Sequence, residues 1–294
     1  VSGDAPVIVT GAAGFIGRRV VARLESLGRP VHLIEHRWTD AAQLRAAPVP
    51  EGAAACVHLG WYASPSDYLT SGQNLESLER SLELVALLGE RDCRRLVVAG
   101  TCAEYGVVDG DLGEESPLRP CSLYGATKVA LDAVLESELS PPGLEVCWAR
   151  LFNLIGPGED QLRLVPTVIR SLLAGEPVGL SAGTQQRDFL DVDDVASALV
   201  HLTTGPVERH VNICSGEAVS LHDLLSSIGE RLGGADLLRF GARPTDPNDP
   251  RRVVGRPGRL IATGWARTHD LDQTIDRAIA YWRRQHHDLM EHSS

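Results

Sequence analysis

The stretch VIVTGAAGFIG, Val7 to Gly17, constrains this chain more than any other. A β-branched run ends in a turn with glycine at 11, 14 and 17. An apolar pattern of helical period, Phe15 to Leu27, follows at once. Glycines at that spacing let the backbone turn tightly and approach a pyrophosphate, and the free N–H groups of the helix start then face it. The motif requires this strand–turn–helix context. Gly11, Gly14, Phe15, Ile16 and Gly17 are therefore candidate dinucleotide contacts. The spacing is GxxGxxG, not the GxGxxG of the common dehydrogenase fingerprint.

The rhythm set by this stretch continues. Strand-like runs recur at Val31 to Glu35, Cys56 to Gly60, Leu96 to Gly100 and Glu145 to Leu151. Helical patterns lie between them at Asp40 to Ala46, Leu75 to Leu88 and Ser122 to Leu139. Apolar strands separated by helices predict an α/β protein with a Rossmann-type, doubly wound parallel sheet over residues 1–157. After Asn153 the rhythm changes. Helices are expected at Val165 to Ala174, Val195 to Thr203 and Leu271 to Arg284. Short strands are expected at Pro177 to Leu180, Asp188 to Leu190 and Val211 to Cys214, with a Pro- and Asp-rich loop at Gly241 to Asp249. This half reads as a smaller α/β substrate lobe over 158–294, with segments around 187–216 returning to the first domain.

The second strand ends on Glu35. An acidic residue there accepts hydrogen bonds from both ribose hydroxyls of adenosine and repels a 2′-phosphate, which favours NAD(H). Arg37 and Arg18 keep NADP(H) open. Leu59, at the carboxyl edge of the third strand, belongs with the cofactor contacts.

Charge narrows the partners. A formal net charge of −11 repels phosphate backbones, so nucleic acid is not an expected partner. No apolar run approaches the roughly 20 residues of a membrane span, and the first residues carry no basic, apolar leader pattern. The six cysteines form no CxxC pair, as expected of reduced thiols in the cytoplasm. No metal-ligand spacing stands out.

Lys128 is the only lysine in the chain and stands four residues after Tyr124. On a helix the two share a face. An unperturbed phenol is a poor acid–base catalyst at neutral pH, and a nearby ammonium lowers its pKa. A compact ammonium suits that role, and a broad guanidinium does not. Thr101, just past the fourth strand, supplies a hydroxyl where open α/β sheets place their ligands; capping the next turn is its alternative role. Thr101, Tyr124 and Lys128 are the candidate catalytic residues.

TGAAGFIG, GTCAEYG and YGATK, in this order, resemble the extended short-chain dehydrogenase/reductase family of nucleotide-sugar epimerases, dehydratases and ketoreductases. Asn74 matches that family's structural asparagine. ARLFNLIGPGE, RDFLDVDDVA, DPRRVV and TGW match further landmarks. The resemblance implies a nucleotide-diphosphate sugar substrate, contacted at its diphosphate by Asn153, Arg187 and one of Arg251 or Arg252. It also implies a homodimer through the helices near Leu75 to Leu88 and Ser122 to Leu139. The family's 4,6-dehydratases carry an Asp–Glu pair where this chain has Cys102 and Ala103, which disfavours elimination. A Cys–His epimerase-reductase needs a histidine that the loop from Ile155 to Val165 lacks. A 4-ketoreductase is the expected activity, with a 4-epimerase on tightly held NAD as the alternative. A role confined to dinucleotide binding fits poorly, because Thr101, Tyr124 and Lys128 are all present. Trp61 and Cys102 complete the candidate substrate contacts, Trp61 because its bulk stands where the family has small residues.

Overall fold

The structure, a computed structural model, describes residues 5–34, 48–137, 140–206, 208–246 and 249–291. Glu35, Arg37 and the helix expected at 40–46 lie outside the described residues.

Six strands build the main sheet: β1 (Val7–Thr10), β2 (Val31–Ile34), β3 (Ala55–His58), β4 (Arg95–Thr101), β5 (Glu145–Leu151) and β6 (His210–Ile213). All pair in parallel, in the order β6-β5-β4-β3-β1-β2. The chain runs outward from β1 to β2, then crosses to β3 on the other side. The crevice between the ends of β1 and β3 is therefore the switch point where such sheets bind ligands. The fold is mixed α/β of the doubly wound kind, as the alternation of strands and helices predicts.

Strand alternation distributes the core to both faces. Val7, Val9, Ala55, Val57 and Val97 pack with Val20 and Leu24 of α1 (Gly17–Ser26) and with Val195 and Leu199 of the helix Val192–His201. Ile8, Cys56, Leu96 and Val98 face the other way, onto Leu84 and Leu88 of α2 (Gln73–Glu90) and Leu131 and Leu135 of α3 (Leu123–Glu136). Each fully buried aliphatic side chain contributes about 1.5–3 kcal/mol.

The second half gathers its own apolar cluster. Val168 and Ile169 of the helix Leu164–Leu173 meet Leu224, Leu225 and Ile228 of Leu221–Leu232, and Ile275 and Ile279 of Leu271–Glu291. It does not stand apart. Strand β6 completes the main sheet beside β5. A second sheet of four short strands joins Gly110–Leu112 to Arg252–Gly255, Gln186–Arg187 and Val219–Ser220. Among the described residues no helix is long and apolar enough to cross a membrane.

Candidate active site

The glycine turn is built for close approach. Gly11 has φ +66°, and a Cβ there would lie 2.9 Å from Gly60 N. A Cβ on Gly17 would come within 2.0 Å of Gly11 O. Only glycine lets the turn after β1 fold onto itself and against the turn after β3. The Thr10 hydroxyl joins the two turns. It accepts from Leu59 N (3.1 Å) and Gly60 N (3.0 Å), and it lies 2.8 Å from His58 Nδ1. His58 Nε2 in turn meets Ser81 Oγ at 2.9 Å. The first turn of α1 has no side-chain cap; Arg18 N and Arg19 N bond back to Gly14 O and Ile16 O, and the helix start turns its positive end toward the cradle. This cradle, with Ile16 and Leu59 partly buried against the core, fits a dinucleotide pyrophosphate. Arg18 is committed to the loop that follows Ile155, donating to Gly158 O at 2.7 Å, and Arg19 donates to Phe15 O at 2.8 Å. Both guanidinium groups lie over the Phe15 ring.

Thr101 ends β4 and caps the 3₁₀ turn Cys102–Glu104. Its hydroxyl accepts from Ala103 N at 3.2 Å, and Glu104 Oε1 accepts from Thr101 N at 2.8 Å. Capping and a site role thus coexist in one residue. Ser122 caps α3, its Oγ accepting from Gly125 N at 3.1 Å. A Cβ on Gly125 would lie 2.7 Å from Ala103 O. This close approach seats the first turn of α3 on the Cys102–Glu104 turn, and Tyr124 thereby reaches a side-chain hydrogen bond with Thr101.

Lys128 follows one turn later and is buried, 2% exposed. Its Nζ donates to Ala99 O at 2.7 Å and lies 3.7 Å from the centre of the Trp61 ring. The Tyr124 ring is farther away, at 6.0 Å. Burial lowers the ammonium's pKa to about 7, opposed by the Glu104 carboxylate. The Tyr124 phenol is pushed above its ordinary value by burial; the Thr101 hydrogen bond pulls the other way. The depression expected from a neighbouring ammonium is not realised in this arrangement, because Nζ is held by Ala99 and Trp61. Burial also pushes the Cys102 thiol up to about 12, so it stays protonated at neutral pH.

Beneath the triad lies a charged cluster that the sequence reading did not single out. Glu104, 0% exposed, accepts from Arg150 Nε (2.6 Å) and Trp148 Nε1 (3.0 Å). Arg150 also donates to Asp132 Oδ2 at 3.2 Å, and Asp132 pairs with Arg209 and His210. The one sequence signal was a glutamate and an arginine set in otherwise apolar strand-like runs.

The expected diphosphate contacts fall on adjoining short strands. Asn153 stands in register with Phe189 and donates to Asp188 O at 3.1 Å. Arg187 pairs with Asp249 and donates to Pro250 O at 2.9 Å. Arg252, in register with Gln186, donates to Asp111 (2.8 Å) and to Gln186 Oε1 (2.7 Å). Strand alternation puts Arg252 on the sheet face of Gln186 and Arg187 on the opposite face with Val253, and the side chain of Arg251 is exposed. A cavity of about 210 Å³ opens in the small lobe, lined by Leu164, Leu180, Ser181, Leu221, Phe240 and Arg243. No triad residue lines it. Among the described residues no three acidic, cysteine or histidine side chains converge on a metal position.

Comparison with known proteins gives a family model, two relatives and a solved structure. The sequence model of the NAD dependent epimerase/dehydratase family matches residues 7–214. UDP-glucuronic acid decarboxylase 1 of Xenopus tropicalis is 25% identical over 95% of this chain and 72% of its own length. The dTDP-6-deoxy-L-talose 4-dehydrogenase (NAD(+)) of Aggregatibacter actinomycetemcomitans is 24% identical over 73% of this chain and 86% of its own. Among solved structures, UDP-glucose 4-epimerase of Thermus thermophilus, complexed with NAD, superposes with a TM-score of 0.85. It is 26% identical, covering 95% of this chain and 99% of that one.

Proposed function

The chain belongs to the NAD dependent epimerase/dehydratase family, and within it we propose that it is an NAD(H)-using 4-ketoreductase of nucleotide-diphosphate sugars. The observation that carries this reading is the meeting of Thr101, Tyr124 and Lys128 beside a turn that continues with Cys102 and Ala103. Those two side chains supply no carboxylate for an elimination, and the Cys102 thiol stays protonated. The triad alone serves redox chemistry at one carbon.

The glycine cradle would hold the pyrophosphate, with Gly11, Gly14, Phe15, Ile16, Gly17 and Leu59 around it. The chemistry a bound reduced nicotinamide would supply there is a hydride for the carbonyl carbon of the sugar. Tyr124 gives its phenolic proton to the oxygen on that carbon, Thr101 hydrogen-bonds the same oxygen, and Lys128 keeps a positive charge beside them. Arg187 and one of Arg251 or Arg252 bind the diphosphate through paired donors, as guanidinium groups do. Asn153 joins them from a separate two-stranded ladder with Phe189–Asp191, and the small-lobe cavity takes the nucleotide end. NAD(H) is favoured over NADP(H) because Arg18 and Arg19 are already engaged and the sequence places an acidic residue, Glu35, directly after β2.

A 4-epimerase is the second reading, favoured by the likeness to the Thermus enzyme over nearly the whole chain. The likeness to the talose 4-dehydrogenase supports the first. Anaerobic incubation with NADH and a panel of nucleotide 4-keto sugars separates them. Stoichiometric loss of nicotinamide absorbance is expected. Isomerisation of an ordinary nucleotide sugar without net oxidation establishes the epimerase instead. A homodimer through α2 and α3 and a cytoplasmic setting complete the proposal; all six cysteines are free thiols.

A further inference from the structure

We infer that Trp61 is a positioning residue for Lys128: its indole face, pinned by Asn74, forms a wall of the ammonium's seat and holds the charge where water cannot. Nζ lies 3.7 Å from the ring centre, well inside the range of a cation–π contact. The ring is fixed in turn, its Nε1–H donating to Asn74 Oδ1 at 2.9 Å. Asn74 is 0% exposed, and its Nδ2 donates to Tyr68 O (2.6 Å) and Ser71 O (2.9 Å). The segment between Trp61 and Ser71 is thereby tied down, and its Tyr68 ring meets Tyr124 edge-on with centres 5.2 Å apart. One loop thus presses an aromatic ring on each of the two helical residues of the triad.

The charged and titratable groups around the ammonium are few. Glu104 acts on it from the Cys102–Glu104 turn, His58 from the end of β3, and Tyr124 from its own helix. Its hydrogen bond to Ala99 O goes to a neutral carbonyl. Burial lowers the amine's pKa to about 7, and an indole face at 3.7 Å opposes that loss of charge.

The inference rests on Lys128 being the lysine of the proposed reaction, but its test does not. The chain holds a single lysine, so protein labelled with ¹³C-lysine gives one Cε resonance that titrates with this amine alone. Trp61→Leu should lower its midpoint by about 0.5–1.5 pH units, the span of a cation–π contact from exposed to desolvated. Trp61→Phe, which keeps a π face, should remain closer to wild type, and the alkaline limb of kcat should move with the resonance. An unchanged midpoint in Trp61→Leu, or equal shifts in both variants, overturns the inference. If Trp61→Leu does not fold, 5-fluorotryptophan drains the ring face at constant shape; a smaller fall is expected, and no fall overturns the inference. A moved midpoint with an unmoved kcat profile sustains the clamp and overturns the role of Lys128 in the reaction.

Discussion

At the scale of single residues, fit decides which side chain serves. Lys128 sits between a carbonyl at 2.7 Å and an indole face at 3.7 Å as a compact point charge, whereas a guanidinium spreads the same charge over a broad fork. Lys128→Arg should reduce turnover by about 10²-fold or more while dinucleotide affinity, read by fluorescence titration, falls much less. His58 carries a different signature. Its ring is buried, and its pKa is lowered by burial to about 3 from 6.5. Between those values the unfolded chain binds a proton that the folded one refuses. Stability is therefore lost as pH falls below about 6.5, by about 1.4 kcal/mol per pH unit from this group. Urea unfolding of wild type and His58→Gln between pH 7 and 5.5 should show a flatter dependence in the variant. The glycine turn and the Tyr124–Lys128 pair were legible in the sequence because their chemistry depends on local spacing. The destination of Trp61 was not: its partners Asn74 and Lys128 come from two different helices.

At the scale of elements, α3 reaches the site through two local devices, the Ser122 cap and the bare Gly125. Beneath them the Glu104–Arg150 pair joins the turn after β4 to β5. Both partners are buried, and Glu104 also accepts from Thr101 N. Removing one partner of such a pair leaves an uncompensated charge, so Arg150→Met should cost about 3–5 kcal/mol in chemical denaturation. Most strand and helix runs were readable from period alone: β4 extends one position to include Thr101, and the helix expected from Val195 begins at Val192. The last helix runs past Arg284 to Glu291, and the helix Leu221–Leu232 was not anticipated. The ion pair was invisible because its members are 46 residues apart, and no periodicity links a lone glutamate to a lone arginine.

At the scale of the whole molecule, the two halves meet through arginines, Arg19 with Asp193 and Arg252 with Asp111. Arg187 is paired with Asp249, so a diphosphate must exchange with that carboxylate. Arg187→Ala should raise KM for a nucleotide sugar by about tenfold or more, with a smaller fall in kcat; an unchanged KM would move the diphosphate elsewhere. The motif order made this arrangement legible, but strand pairing among the short segments was not, since two- and three-residue strands leave no pattern. Strand β6 has a consequence for biosynthesis. Its partner β5 is complete at Leu151, yet the strand that covers its edge begins only at His210. While the chain is being made, that edge stands open, a template for the wrong neighbour. A polypeptide cut between Ile155 and His210 would keep the gap for good, and light scattering should find it self-associating.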